Sequence, residues 1–182
     1  MLYTRKGDSG KTGTFGCNQK VSKSSAISEA LGSLDESNSF LGICKSKARE
    51  LGMNVGNSKV DEIIDKVQND LFIIQAQVAG ADKKVSEEKI KWIEEIIGNI
   101  ESQLPPIKSF LISGASEISA CFDFARTLVR RAERRVVGVS DENIAKIDPQ
   151  TLSYMNRLSS LMYAFARFSA LQAGEKENPP TY

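Results

Sequence analysis

Phe122-Asp123-Phe124-Ala125-Arg126-Thr127-Leu128-Val129-Arg130-Arg131-Ala132-Glu133-Arg134-Arg135 is the stretch that decides how this chain is read. Residues 126–135 hold five arginines and one glutamate, flanked by apolar Phe122, Leu128 and Val129. On a helix Arg126, Arg130 and Glu133 stand at i, i+4 and i+7 and share one face, with Arg134 extending the row. Like charges at that spacing repel by roughly 0.2–0.5 kcal/mol per pair. The row therefore suggests an external anion or acidic partners. It also fits a solvated face with local Glu–Arg pairs. A nucleic-acid-binding helix is a third reading, opposed by the near-neutral chain and by aromatics that look like core.

Outward from this segment the signal is helical. Ile27, Leu31, Leu34 and Leu41 fall near a 3.6 period and predict a helix over roughly 24–50. Gly52, Asn54 and Gly56 break it. Ser58 is read as the cap of a second helix whose stripe is Val60, Ile63, Ile64, Val67, Leu71, Ile74 and Val78. Ser86 opens a third, with Ile90, Ile93, Ile96, Ile97 and Ile100 facing inward, stopped by Pro105-Pro106. The arginine helix is expected from after Ser113-Gly114 to about Val136. Asp148-Pro149 is a cap-plus-N1 pair for a fifth helix carried by Leu152, Met155, Leu158, Met162, Phe165 and Phe168 to Gly174. Residues 175–182 are expected to fray. No stretch shows convincing β alternation. The expected fold is all-α: a single domain, 1–182, with an N-terminal loop over 1–22 and a bundle of about five helices over 24–173.

The loop Thr4-Arg5-Lys6-Gly7-Asp8-Ser9-Gly10-Lys11-Thr12-Gly13-Thr14 packs three glycines, three threonines and three cations into eleven residues. Glycine admits close backbone approach, consecutive amides form anion-binding concavities, and hydroxyls and cations add donors for phosphate oxygens. Gly10-Lys11-Thr12 is not a Walker A loop. That pattern needs a glycine at position 5, which is Arg5, and a strand before it. A flexible tail has the same composition.

Two polar intrusions mark other helices. Asp35, in Ser33-Leu34-Asp35-Glu36-Ser37-Asn38, borders the first helix's apolar stripe, either as a surface acid or in need of an arginine partner. Asn156, in Met155-Asn156-Arg157-Leu158-Ser159, serves either a base, sugar or phosphate, or a bridge between helices.

Composition excludes several classes. The 182 residues hold 24 Lys plus Arg against 23 Asp plus Glu, a net charge of +1, and give no general attraction to nucleic acid or anionic membrane. No apolar run approaches the roughly 20 residues of a membrane span, and Met1–Lys6 has no signal-peptide core; both point to the cytoplasm. Cys17, Cys44 and Cys121 are widely spaced, which argues against a disulfide framework or zinc site. Histidine is absent, removing the common general base, Ser–His and Cys–His nucleophiles, and His metal ligation. No direct protein metal ligand is expected.

Taken in order, these segments resemble the PduO-type ATP:cob(I)alamin adenosyltransferases. That family's Thr-Arg-x-Gly-Asp-x-Gly-x-Thr loop is matched from Thr4 to Thr12, and a following lysine by Lys23, with Lys20 as competitor. Glu29–Ser39 resembles its Glu-Ala-x-Gly-Thr-x-Asp-Glu-Leu-Asn-Ser segment, Ala125–Arg134 its Ala-Arg-Thr-x-x-Arg-Arg-Ala-Glu-Arg signature, and Met155–Ser159 its Leu-Asn-Arg-Leu-Ser segment. Ser113-Gly114-Ala115 departs from a frequent Pro-Gly-Gly, and Asp123 stands where a histidine is frequent.

The resemblance implies a five-helix bundle forming a homotrimer with intersubunit sites. Its reaction transfers the 5′-deoxyadenosyl group of ATP, accompanied by Mg2+, to cob(I)alamin and releases triphosphate. It implies ATP contacts from Thr4, Arg5, Lys6, Gly7, Lys11, Thr12, Gly13, Lys23, Arg130, Arg131, Glu133, Arg134 and Asn156. On the corrinoid side it implies Phe110, 16 residues before Arg126, and an Asp35–Arg126 pair across subunits. Arg126, Asp35 and Arg130 are the expected catalytic set, and a reductase and a mutase are possible partners. Cob(I)alamin is itself a strong nucleophile, which suits a chain without histidine. The alternative is a non-catalytic ATP- or cobalamin-binding regulator or chaperone.

Overall fold

A computed structural model describes residues 2–14 and 20–182; Cys17 lies outside them. Five helices carry the fold: α1 (Ala26–Glu50), α2 (Val60–Val78), α3 (Glu87–Glu101), α4 (Glu117–Asp141) and α5 (Pro149–Gln172). Two short antiparallel hairpins accompany them, β1 (Lys11–Gly13) with β2 (Lys20–Ser22), and β3 (Asn54–Val55) with β4 (Ser58–Lys59). Among the described residues no helix is long and apolar enough to cross a membrane.

The expected stripes are the buried ones. Leu34 and Leu41 of α1, Ile64, Leu71 and Ile74 of α2, Ile93 and Ile100 of α3, Phe122 of α4, and Met155, Leu158 and Phe165 of α5 are sealed from solvent. The Phe122 and Phe165 rings meet with centroids 5.0 Å apart. Helix α4 packs on both α1 and α5, α2 on α1, and α3 on α5. The α1–α4 pair is antiparallel: Glu29 faces Arg135, Glu36 faces Arg131 and Lys47 faces Glu117.

Several boundaries differ from expectation for local reasons. Ser58 does not cap α2; it pairs with Val55 in the second hairpin, and the Val60 N–H is satisfied by the Met53 carbonyl at 3.0 Å. Ser86 and Asp148 occupy N-cap positions without capping through their side chains. Asp148 instead accepts from Gln77 Nε2 at 2.9 Å, and Thr151 donates to Gln77 Oε1 at 2.6 Å, tying the start of α5 to α2. Ser25 and Ser116 do cap α1 and α4, accepting from Ser28 and Ser119 N–H groups. Helix α4 passes Val136 to Asp141 because buried Val139 continues its stripe. The hairpins have two or three residues per strand, too few for a period of 2 to show.

The tail, expected to fray, touches the bundle at Glu177 and Asn178. Gly174, at φ 69°, ends α5 in the left-handed conformation that glycine tolerates. The chain then turns back, so that Arg167 of α5 pairs with Glu177 at 3.1 Å and the Asn178 carbonyl accepts from the Ile112 N–H at 2.8 Å.

One polar cluster crosses the core. Asp70 of α2 is 2% exposed, accepts from the Tyr154 hydroxyl of α5 at 2.9 Å and pairs with Lys89 of α3. Burial, with the Asp70 carboxylate adding to it, holds the Tyr154 hydroxyl protonated well above its ordinary range. The unfolded chain releases that proton near pH 10 and the folded chain keeps it. Stability from this group is therefore complete below about pH 10 and declines as pH rises above it. Cys44, its thiol pushed up to about 12 chiefly by burial, acts in the same direction. Tyr154→Phe should cost about 1–2 kcal/mol at neutral pH by leaving Asp70 short of a donor. It should also flatten the alkaline decline relative to wild type, both read from urea unfolding between pH 7 and 11.

Candidate functional site

Helix α4 buries Ile118, Phe122, Ala125, Val129, Ala132 and Val136, and this stripe fixes where its arginines point. They divide into two rows. Arg131 and Arg135 lie toward α1, paired with Glu36 and with Glu29, the latter at 3.8 Å. Arg126, Arg130 and Arg134 form the other row. Arg130 and Arg134 are exposed and make no ion pair among the described residues.

Arg126 is half-buried. Its Nε lies 3.7 Å from Asp123 Oδ1, is itself buried and has no hydrogen-bond partner among the described residues. Its guanidinium stands 5.9 Å from the Tyr163 ring centroid. A buried N–H without an acceptor costs about 1–3 kcal/mol. Burial, ahead of nearby charges, raises the Tyr163 hydroxyl and keeps it protonated.

Arg126 and Arg130 open onto a cleft of ≈ 690 Å³, walled by Asp123 of α4, Ser160 and Tyr163 of α5, and the 107–113 segment that carries Phe110. The volume lies in the range of small-molecule sites. Phe110 is 84% exposed and offers an apolar surface beside two guanidinium groups. Gly114, at φ 95°, makes the turn between this segment and α4, so the departure from Pro-Gly-Gly keeps the glycine the turn needs. The structure thus gathers three expected residues, Phe110, Arg126 and Arg130, around one cleft. It adds Asp123 and Tyr163 as cleft-lining groups. The i, i+3 spacing of Asp123 to Arg126 could have revealed the first; Tyr163 is separated from Arg126 in sequence, and only the α4–α5 packing shows it.

Asn156 and Glu133 meet further along the same seam. Asn156 Nδ2 donates to Glu133 Oε1 at 3.2 Å, while Arg157 donates to Asn156 Oδ1 at 2.8 Å and to Glu94 at 2.8 Å. Both ends of the Asn156 amide are thus engaged within the chain, and a ligand here must exchange with them.

The described residues of the N-terminal loop do not line the cleft. Thr4, Arg5, Lys6, Lys11 and Gly13 are exposed and Gly7 and Thr12 half-buried. Lys23 lies over Gly7: a methyl at residue 7 would sit 3.0 Å from Lys23 Nζ, and the Lys23 N–H donates to the Gly10 carbonyl at 3.0 Å. Lys20 is tied to the loop as well, pairing with Gly13 in the β1–β2 hairpin. Arg5 takes a left-handed φ of 57° with its guanidinium 5.4 Å from the Tyr3 ring centroid. Asp35 is exposed on α1, with no ion pair among the described residues, and does not meet Arg126 within the chain.

A helical bundle with an arginine-lined cleft and a glycine-rich cationic loop defines the class of protein. The family model described as cobalamin adenosyltransferase matches residues 2–169; the chain belongs to that family. It is 36% identical over 173 residues to the corrinoid adenosyltransferase PduO of Citrobacter freundii, covering 91% of this chain and 49% of the relative. It is 33% identical to the Bacillus subtilis corrinoid adenosyltransferase, covering 95% and 88%. To human corrinoid adenosyltransferase MMAB it is 31% identical, covering 97% and 71%. The chain spans about half the length of the PduO relatives it matches. A phenylalanine-to-histidine variant of the PduO-type ATP:corrinoid adenosyltransferase of Lactobacillus reuteri, complexed with cobalamin and ATP, superposes with a TM-score of 0.87 at 28% identity, covering 99% of this chain and 96% of that one.

The two-row division predicts opposite effects on stability. Arg131→Ala should cost about 0.5 kcal/mol, the worth of a partly solvated pair. Arg130→Ala should leave stability unchanged or raise it by a few tenths of a kcal/mol through relieved repulsion. Urea unfolding of both variants checks the order.

Proposed function

We propose that this chain transfers the 5′-deoxyadenosyl group of ATP to cob(I)alamin, forming adenosylcobalamin and releasing triphosphate. The observation that carries the reading is the convergence of Arg126, Arg130 and exposed Phe110 on one cleft, in a chain of the cobalamin adenosyltransferase family. Cobalt(I) attacks C5′ with its electron pair, a Co–C bond forms as the C5′–O bond breaks, and the bond electrons leave with triphosphate. The cobalt is formally oxidised by two electrons, so no outside oxidant or protein base is needed. The protein's work is to align C5′ and stabilise the leaving charge.

In this reading Arg130, Arg134, Glu133 and Asn156 serve the nucleotide. Arg131 does so only by exchanging its Glu36 partner. Thr4, Arg5, Lys6, Gly7, Lys11, Thr12, Gly13 and Lys23 wrap the triphosphate. Because the described loop residues do not line their own chain's cleft, the loop would wrap ATP most naturally at the cleft of a neighbouring copy. That supports a homotrimer with intersubunit sites, where exposed Asp35 would meet Arg126 of the next copy. Magnesium enters with ATP, held by phosphates and water as that ion ordinarily is on a nucleotide. Phe110 and the Arg126–Tyr163 wall take the corrinoid side, where an apolar ring excludes an axial ligand from the cobalt. The reaction belongs in the cytoplasm, beside a reductase that supplies the low-valent corrinoid and a mutase that consumes the product.

The test is to mix the protein with ATP, magnesium and chemically reduced cobalamin and to follow the visible spectrum to adenosylcobalamin. Arg130→Ala should slow the conversion by about 10²-fold, the usual loss for one donor to a developing anion. Arg126→Ala and Asp35→Asn should lower it with the helical circular-dichroism signal retained. Absence of conversion by folded wild-type protein would reject the reading, and wild-type turnover in both of those last variants would reject their roles.

A further inference from the structure

The segment that carries Phe110 has no hydrophobic anchor. From Pro105 through Gly114 no residue is buried, and Leu111 alone is half-buried; Ile107 and Ile112 are 55% and 56% exposed. Nor does the segment form helix or strand. Phe110, itself 84% exposed, cannot fix its own place by packing. Its position depends on what holds the backbone on either side.

Two polar ties do so. On the N-terminal side, Arg167 Nη2 donates to the Pro105 carbonyl at 3.1 Å. On the C-terminal side, the Ile112 N–H donates to the Asn178 carbonyl at 2.8 Å. The two ties are joined, because Arg167 Nε donates to Glu177 Oε2 at 3.1 Å and Glu177 precedes Asn178. The Arg167 side chain is only 7% exposed and that of Glu177 20%. A charge so buried is costly unless its hydrogen bonds are met, so Arg167 is held to this geometry. Nothing in Arg167's position on α5, which lies outside the wall of the Phe110 cleft, requires a cation for packing.

We propose that Arg167, clamped by Glu177, is a positioning residue that locks the 105–112 segment and sets Phe110 over the arginine cleft. The clamp acts on the corrinoid side through Phe110 and leaves the nucleotide side untouched. It rests on the reading of that cleft as the corrinoid site.

Glu177→Gln tests it, since the substitution keeps size and removes the charge. Hydrogen exchange in the unliganded protein should speed up over residues 107–112 in the variant, with the core of α4 and α5 unchanged. In the spectral assay kcat should fall about tenfold, the equivalent of one lost hydrogen bond to a charged group, and the KM for ATP should not move. In a Phe110→Ala background, Glu177→Gln should have no further effect, because a residue acting only through Phe110 is not additive with it. Arg167→Lys, which retains the charge but reaches only one of the two acceptors, should fall between wild type and Glu177→Gln. Unchanged exchange over 107–112, a raised KM for ATP, or additive losses in the double variant would each overturn the clamp. An inactive wild type would sink the reading of the cleft and this proposal with it; an active wild type matched by Glu177→Gln would sink the clamp alone.

Discussion

Burial of α4's apolar stripe between α1 and α5 is the constraint on which the rest of the molecule depends. Ala125, Val129 and Ala132 turn inward, and at 3.6 residues per turn no freedom remains in where the arginines between them project. One flank meets the acids of α1 and becomes an ion-pair seam. The other meets Tyr163, Ser160 and the Phe110 segment and becomes a cleft. A single helical phase thus divides five chemically identical side chains into a row paired with the acids of α1 and a row turned away from them.

That division is also the measure of what the amino-acid sequence made legible. Spacing alone put Arg126, Arg130 and Glu133 on one face, since i, i+4 and i+7 is a local property. It could not say that Arg131 and Arg135 were already matched, because Glu29 and Glu36 lie on another helix and find them only through the antiparallel α1–α4 packing. Helix stripes were legible for the same reason: Ile64, Leu71 and Ile74 carry their period in a short window. The hairpins were not, because a strand of two or three residues has no period to read. Asp148 shows the boundary between the two cases. Its place before Pro149 was readable from local rules, whereas its partner Gln77 lies on α2.

Within the cleft the same limit holds. Phe110 sits among residues without periodicity, and no physical signal in its surroundings marks it; only the ordered resemblance did. Tyr163 lay in plain sight on α5 but among Met162, Phe165 and Phe168, where an aromatic reads as core. Composition near a terminus suggests only fraying of the tail, while Arg167 and Glu177 can be matched only once Gly174 has reversed the chain.

The absence of histidine gives these pieces a common logic. A chain without histidine leaves proton transfer to carboxylates, lysines and tyrosines, and the adenosyl transfer proposed above asks the cleft only to bind, orient and stabilise charge. Arg130 and Arg134 bear mutual repulsion in the free protein, and Arg126 bears a buried N–H that Asp123 does not satisfy. These small costs stay affordable because α4 is held along most of its length by core contacts that the arginines do not share.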